Sequence, residues 1–196
     1  MSSEEFPSVC ETCLGDDPYV RMSKQPNGYA CQICKRAMTL FKWKAGKGRM
    51  KETIICHQCS KIKNVCQTCL LDLEFGIPVA ARDKFLTKTQ SAIVPTSQVG
   101  RTYQAEHYDA LVASGQKVTE KLSAIPEIKK VMRSAPYYER NKAKLCTFYA
   151  KGTCTRGELC PFRHELPVHS ELATKSIADR YHGRNDPVAE KILLNK

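Results

Sequence analysis

Along residues 6–75 the polar positions gather in short turn-rich pieces, such as Gly15-Asp16-Asp17-Pro18 and Gln25-Pro26-Asn27-Gly28. Cysteines fall between them in pairs. This pattern predicts hairpins and knuckles rather than long helices. After Cys69 the apolar residues Leu70, Leu71, Leu73 and Phe75 run until Gly76 and Pro78, and predict one short helix packed on the cysteine-rich core. Residues 78–100 lose periodicity, gain Thr, Ser and Gln, and read as a linker. Tyr103, Ala105, His107, Tyr108, Ala110, Leu111 and Val112 then recur with helical spacing over 101–115. A second helical stretch near 118–134 is interrupted at Pro126 and carries Lys117, Lys121, Lys129, Lys130 and Arg133 on its polar face. Pro136 ends it. A last helix is expected near 186–194, with Asp186 as N-cap and Pro187 at its first position.

The expected organisation is therefore a module over 6–77, a linker over 78–100 and a helical segment over 101–135. A finger follows over 140–166, and a tail over 167–196. The fold class is one of small zinc-stabilised modules, irregular, with short helices and hairpins.

Metal enters through the count of ligands. Eleven cysteines and one histidine form three sets of four. Cys10, Cys13, Cys31, Cys34, Cys56, Cys59, Cys66 and Cys69 make four successive C-x-x-C pairs, and Cys146, Cys154, Cys160 and His164 make a C-x7-C-x5-C-x3-H run. An odd cysteine count suits a disulfide framework poorly, whereas twelve ligands suit three tetrahedral zinc ions. The pairs are spaced too widely for an iron–sulfur run, and no βαβ pattern surrounds them to suggest a redox-active dithiol. The modules are too polar to build one large apolar core. A structural zinc site supplies roughly 10–16 kcal/mol of apparent folding free energy, against a net domain stability of about 5–15 kcal/mol, so the metal is expected to fold the chain.

Four pairs allow three partitions into two sites. The gap of seventeen residues between Cys13 and Cys31 favours a sequential arrangement, first pair with second and third with fourth. The gap of only six residues between Cys59 and Cys66 is tight for one ion, which leaves a cross-braced pairing open, first with third and second with fourth. His57, inside the third knuckle, is expected to be a surface imidazole rather than a ligand.

Charge narrows the partner. The chain of 196 residues carries a net charge of +11 and a pI of about 9.2, which points to a polyanion, nucleic acid first. No apolar run of membrane-spanning length occurs, and the N-terminus MSSEEFPSVC lacks the apolar core of a secretory signal. No small-molecule site and no catalytic constellation is visible, so no enzyme is expected. In the finger, Phe148, Tyr149 and Phe162 sit among Lys144, Lys151, Arg156 and Arg163. Rings beside cations suit single-stranded RNA, where each stacked base contributes roughly 1–3 kcal/mol. At least one ring is expected to pack on the metal core instead, and Phe162, restricted by Pro161, is the choice. A second basic stretch, Lys35-Arg36 through Phe41-Lys42-Trp43-Lys44 to Lys47, Arg49 and Lys51, surrounds the only tryptophan. Trp43 there either stacks on a base, packs on the zinc module, or anchors a protein partner.

Four stretches carry a family resemblance: CETCLGDDPYVRM, CHQCSKIKNVCQTCLLDLEFGIPVAARD, CTFYAKGTCTRGELCPFRHE and DRYHGRNDPVAEKIL. In this order they resemble pre-mRNA splicing factors of the SLT-eleven and RBM-twenty-two type. CSKIKNVCQTCLLDLEFG makes the match specific, since it is far longer than its zinc ligands require. The resemblance implies a nuclear component of the activated spliceosome, associated with the nineteen complex. It implies contact with U6 snRNA and intron RNA near the catalytic centre, and all twelve zinc ligands. Members normally continue into an RNA-recognition motif, which would begin where this sequence stops at Lys196. Two other classes compete: a zinc-module scaffold that binds only proteins, and a RING-like ubiquitin ligase. Typical RING patterns place a histidine among their ligands at other spacings.

Overall fold

The structure, a computed structural model, describes residues 6–46, 50–86, 94–108, 110, 114, 126–167 and 176–194. Its elements are short. The first knuckle opens helix α1 (Glu11–Leu14), and strands β1 (Met22–Gln25), β2 (Leu40–Lys44) and β3 (Met50–Glu52) form an antiparallel meander. Met22 faces Trp43 and Gln25 faces Leu40 across the first pair, and Lys42 faces Glu52 across the second. Side chains alternate between the faces of a strand. Phe41 and Trp43 thus enter one apolar cluster with Cys13, Cys66 and Cys69, while Leu40 enters a second with Cys31, Cys34, Cys56 and Cys59. The core is accordingly divided, with one cluster around each four-cysteine set.

Helix α2 (His57–Lys63) begins at the third knuckle. The Cys56 sulfur accepts the Cys59 amide there as a cap, and Asn64, at φ 51°, closes the other end in the left-handed conformation. The helix expected directly after Cys69 does not form. Asp72 Oδ1 instead accepts the amides of Glu74 and Phe75 at 2.9 and 2.7 Å. This local alternative takes the bonds a helix would have needed, and Gly76, at φ 67°, completes the turn.

Residues 78–100 are not a plain linker. Pro78 precedes α3 (Val79–Phe85), and Ser97, whose hydroxyl accepts the Gly100 amide, caps α4 (Gln98–Glu106). The helix expected from residue 101 therefore starts earlier, at Gln98, and Leu111, Val112, Lys117, Lys121 and His169 lie outside the described residues. Of the second helical stretch, α5 (Pro126–Val131) is described, and its part before Pro126 lies outside the described residues. The finger contains α6 (Thr147–Ala150) and a 3-10 turn over Gly157–Leu159. The tail folds back as α7 (Ile177–His182) and α8 (Pro187–Leu194), both packed on α3. Asp186 Oδ1 accepts the Val188 amide at 3.0 Å, in the capping role expected of it. A side chain at Gly183 would meet the Ala80 backbone at 3.2 Å, so α7 leaves α3 at a point where only glycine fits. Phe75, Ile77, Ala81, Ile128 and Ala189 form the third cluster, joining α3, α5 and α8.

One buried polar network ties these layers. Arg82 pairs with Asp72 at 2.8 Å and with Asp83 at 2.9 Å, and donates to the Lys63 carbonyl at the end of α2 at 2.5 Å. Lys63 pairs with Asp83 at 3.2 Å. Arg82 and Asp72 are both buried. Asp72→Ala leaves the guanidinium without its fully buried partner and also removes the acceptor of the Glu74 and Phe75 amides. It is expected to destabilise the metal-loaded chain by about 3–5 kcal/mol. Urea denaturation followed by far-UV circular dichroism measures the loss.

Candidate functional site

Three sets of ligand atoms converge: Cys10, Cys13, Cys66 and Cys69; Cys31, Cys34, Cys56 and Cys59; Cys146, Cys154, Cys160 and His164. Within each set all four atoms lie within 4.8 Å of one another. At a Zn–S distance of about 2.3 Å, sulfurs at tetrahedral corners stand roughly 3.8 Å apart. Cys10 to Cys69 and Cys34 to Cys56 are both 3.6 Å, Cys146 to Cys160 is 3.8 Å and Cys154 to Cys160 is 3.9 Å. These separations exceed a disulfide bond and match the edges of a zinc tetrahedron. His164 presents Nε2 at 3.3 Å from the Cys154 sulfur. The three sets suit three zinc ions.

Electrostatics gives the same answer. The Cys66 thiol is pushed down because Cys10, and then Cys13 and Cys69, hydrogen-bond to its sulfur. The Cys13 thiol is pushed up by its contact with Cys10, then by Cys66 and Cys69 and by burial. The inner set repeats the split, with Cys31 lowered first by Cys34 and Cys59 raised first by Cys31. Four thiols this close repel one another once ionised, and a dication supplies the charge that lets all four ionise. Backbone amides assist: Cys10 donates to the Cys66 sulfur at 3.4 Å and Cys56 to the Cys31 sulfur at 3.2 Å.

The pairing is nested, first knuckle with fourth and second with third. This corrects the sequential expectation, and it is not the cross-brace either. The chain shows why. Strands β2 and β3 carry it out and back between Cys34 and Cys56, returning the second pair to the third. Helix α2 fills the step from Cys56 to Lys63, so the third and fourth pairs face different ions across it. The first pair then meets the fourth around the outside. The short gap between Cys59 and Cys66 was the signal that separated those two pairs. His57 stands outside both sets, at 3.4 Å from the Ser8 hydroxyl.

Trp43 is not a surface ring. It is 1% exposed, in the outer cysteine cluster, and its indole donates to the Cys13 carbonyl at 2.9 Å. Of the three roles open to it, packing on the zinc module is the one realised. Lys42 and Lys44 on the same strand remain outside, Lys42 above the exposed Tyr29 ring at 5.4 Å and 3.7 Å from Glu52. Tyr29 was not singled out from the sequence, although its place beside the Gln25–Gly28 turn marks it as exposed.

In the finger, the Cys146 sulfur accepts the Tyr149 amide at 3.3 Å, and Cys146 and Arg163 bond through their backbones at 2.8 Å. Phe148 is 65% exposed and Phe162 45%. The ring that meets a metal ligand is Tyr149, itself 41% exposed, and not Phe162. Tyr149 stacks on His164 with centroids 4.4 Å apart and planes 7° from parallel. Lys151 and Arg156 are exposed, whereas Arg163 is engaged within the chain, donating to the Ala143 carbonyl and to Glu165, both at 2.9 Å. The 3-10 turn over Tyr138–Asn141 seats the finger on the first knuckle. Tyr137 donates its amide to the Thr12 hydroxyl at 3.1 Å, and Asn141 donates to the Thr12 carbonyl at 2.6 Å.

Two nested four-cysteine centres, followed by a finger of three cysteines and one histidine, define a zinc-finger protein with a double zinc module. Residues 7–111 match the family model described as STL11, N-terminal, and residues 86–184 match the Torus domain model. The chain belongs to the STL11 family, the family of the SLT-eleven and RBM-twenty-two type. Among its curated relatives, zinc finger CCCH domain-containing protein 49 of Oryza sativa subsp. japonica is 49% identical over 193 residues, covering 96% of this chain and 40% of that protein. Zinc finger CCCH domain-containing protein 4 of Arabidopsis thaliana is 48% identical over the same shares. Protein 53 of that series, also from Arabidopsis thaliana, is 46% identical over 97% of this chain and 54% of its own length. The chain thus spans about half the length of these relatives or less.

Because the three ligand sets are disjoint, His164→Ala is expected to lower bound zinc from three ions to two and leave both four-cysteine centres intact. Cys10→Ser and Cys66→Ser should empty the same centre as each other, and Cys31→Ser the other. Metal analysis with cadmium NMR distinguishes this from a general loss of metal and from the sequential pairing.

Proposed function

We propose that the chain is a non-enzymatic, RNA-binding structural component of the spliceosome, working in the nucleus. It contacts U6 snRNA and intron RNA and supports the catalytic RNA arrangement. Membership of the STL11 family supports the splicing assignment, together with the CCCH finger in the names of its relatives. Spliceosomal proteins, the nineteen complex among them, are the partners this reading implies.

The observation that carries RNA contact is the finger's surface. Phe148 and Phe162 stand exposed in the same short stretch of chain as the exposed Lys151 and Arg156. An aromatic face left in water beside a cation suits a base and its phosphate. Tyr149, 41% exposed, adds a third ring to this surface while it stacks on a metal ligand, and Arg163 braces the loop. On the eight-cysteine module the burial of Trp43 leaves Lys42 and Lys44 as contacts with phosphate. They steer and position rather than read. The nested pairing does not provide the cross-brace of a ubiquitin ligase module, which leaves the platform role as the better account of the eight cysteines.

The test is the affinity of the zinc-loaded chain for a structured U6-like RNA as salt is raised. Affinity is expected to fall steeply with salt. Replacing Phe148 and Phe162 together by Ala is expected to weaken binding about tenfold or more while three zinc ions stay bound. The same change at Tyr149 should cost zinc affinity at the finger as well. Absence of binding by the loaded chain at low salt rules out direct RNA recognition by these residues.

A further inference from the structure

Two neighbouring residues near the end of the chain reach the two N-terminal metal centres separately. Arg180 Nη2 donates to the carbonyl of Cys69, 111 positions upstream, and Tyr181 Oη donates to the carbonyl of Cys59, 122 positions upstream, at 2.9 Å. Cys69 is the last ligand of the outer set and Cys59 the last of the inner set. Consecutive residues on a helix project roughly 100° apart, so α7 lies where one turn can address both cages. We infer that α7 is a clasp on both centres, with Arg180 positioning the outer set through Cys69 and Tyr181 the inner set through Cys59.

Several features separate this from ordinary packing. Tyr181 is 0% exposed and its ring lies in the cluster of Cys31, Cys34, Cys56 and Cys59. A phenylalanine would fill that space equally well. The hydroxyl is costly to bury without an acceptor, and the acceptor it finds is the backbone of a ligand. Arg180 is half-buried, and its guanidinium does not deprotonate. Four thiolates around a dication leave a net charge of about −2, and a fixed cation at the last ligand of that cage offsets it. Neither residue touches a sulfur in these bonds. Each holds the backbone that aims one, as groups beyond the ligands of metal sites do.

The clasp has its own anchor. Helix α7 packs on α3 at the close approach of Gly183 to Ala80, and α3 is tied through Arg82 to Asp72, three residues beyond Cys69. The segment matched by the Torus model thus closes the centres of the segment matched by the STL11 model. Coupling of this kind is reciprocal: metal in the four-cysteine centres favours the docked tail, and the docked tail slows metal loss.

The experiment uses the full chain loaded with cadmium, a soft dication for the same thiolates, with the three sites followed by cadmium NMR during competition with EDTA. Tyr181→Phe keeps the ring and removes only the bond. It is expected to shift the inner-set resonance and speed loss of that ion about tenfold, leaving the outer set and the finger unchanged. Arg180→Gln is expected to do the same to the outer set alone, and Arg180→Lys to restore part of its retention through the charge. Unchanged release from both four-cysteine centres in Tyr181→Phe and Arg180→Gln would overturn the proposal. Equal acceleration at both centres by either variant would overturn it too, since that is what loosened packing alone produces.

Discussion

The nesting of one four-cysteine cage inside the sequence span of another is the constraint on which the rest of the structure depends. The inner cage closes residues 31–59 on themselves, and the outer cage then has to draw residues 10–13 and 66–69 together around it. Neither can be satisfied by a local knuckle alone. The β2–β3 hairpin and α2 are short because they need only carry the chain between ligands, and the apolar clusters are small because each fills in around one cage. A chain with so divided a core gains from metal what a larger domain gains from burial.

The cages also decide where the best hydrophobic side chains go. Trp43 in the outer cluster and Tyr181 in the inner one are among the largest fully buried side chains, and each sends its polar atom to a cysteine carbonyl, Cys13 or Cys59. Both centres therefore carry an aromatic wall whose single donor fixes a ligand's backbone. The buried Arg82 network does the corresponding work for the turn after Cys69. It offers a charge to Asp72 and a donor to the Lys63 carbonyl, so that the outer cage, α2 and α3 hold a common geometry.

Much of this was legible in the sequence, and the reason differs by element. Ligand identity was legible because metal chemistry admits few residue types at few spacings. The α8 cap at Asp186-Pro187 was legible because capping is local. The knuckle partition was not, since it depends on a hairpin that brings distant pairs together, and only the six-residue gap between Cys59 and Cys66 hinted at it. The missing helix after Cys69 shows a local competitor, the Asp72 carboxylate, overriding an apolar pattern. α3 was missed for the opposite reason. VAARDKF buries Val79, Ala81 and the charged Arg82 on its packed face, and a buried arginine breaks the apolar period that would announce a helix. Trp43 among lysines reads as a nucleic-acid contact, but strand alternation sends it inward and the lysines outward. Phe162 was misread because a neighbouring proline does not by itself direct a ring, and the ring that meets a ligand is Tyr149 on His164.

The contrast between the finger and the eight-cysteine module follows from the same economy of burial. In the module seven of eight cysteines are buried, and the rings near them are drawn into the clusters that cover the sulfur. In the finger three of four ligands are only partly covered, the described helices are single turns, and Tyr149 stacks on His164. Phe148, Phe162 and part of Tyr149 stay on the surface, in the same short stretch of chain as Lys151 and Arg156. Seating that small unit on Thr12 of the first knuckle gives its exposed rings a fixed direction relative to the platform. For the proposed RNA-binding role that seating supplies a rigidity the finger is too small to supply from within.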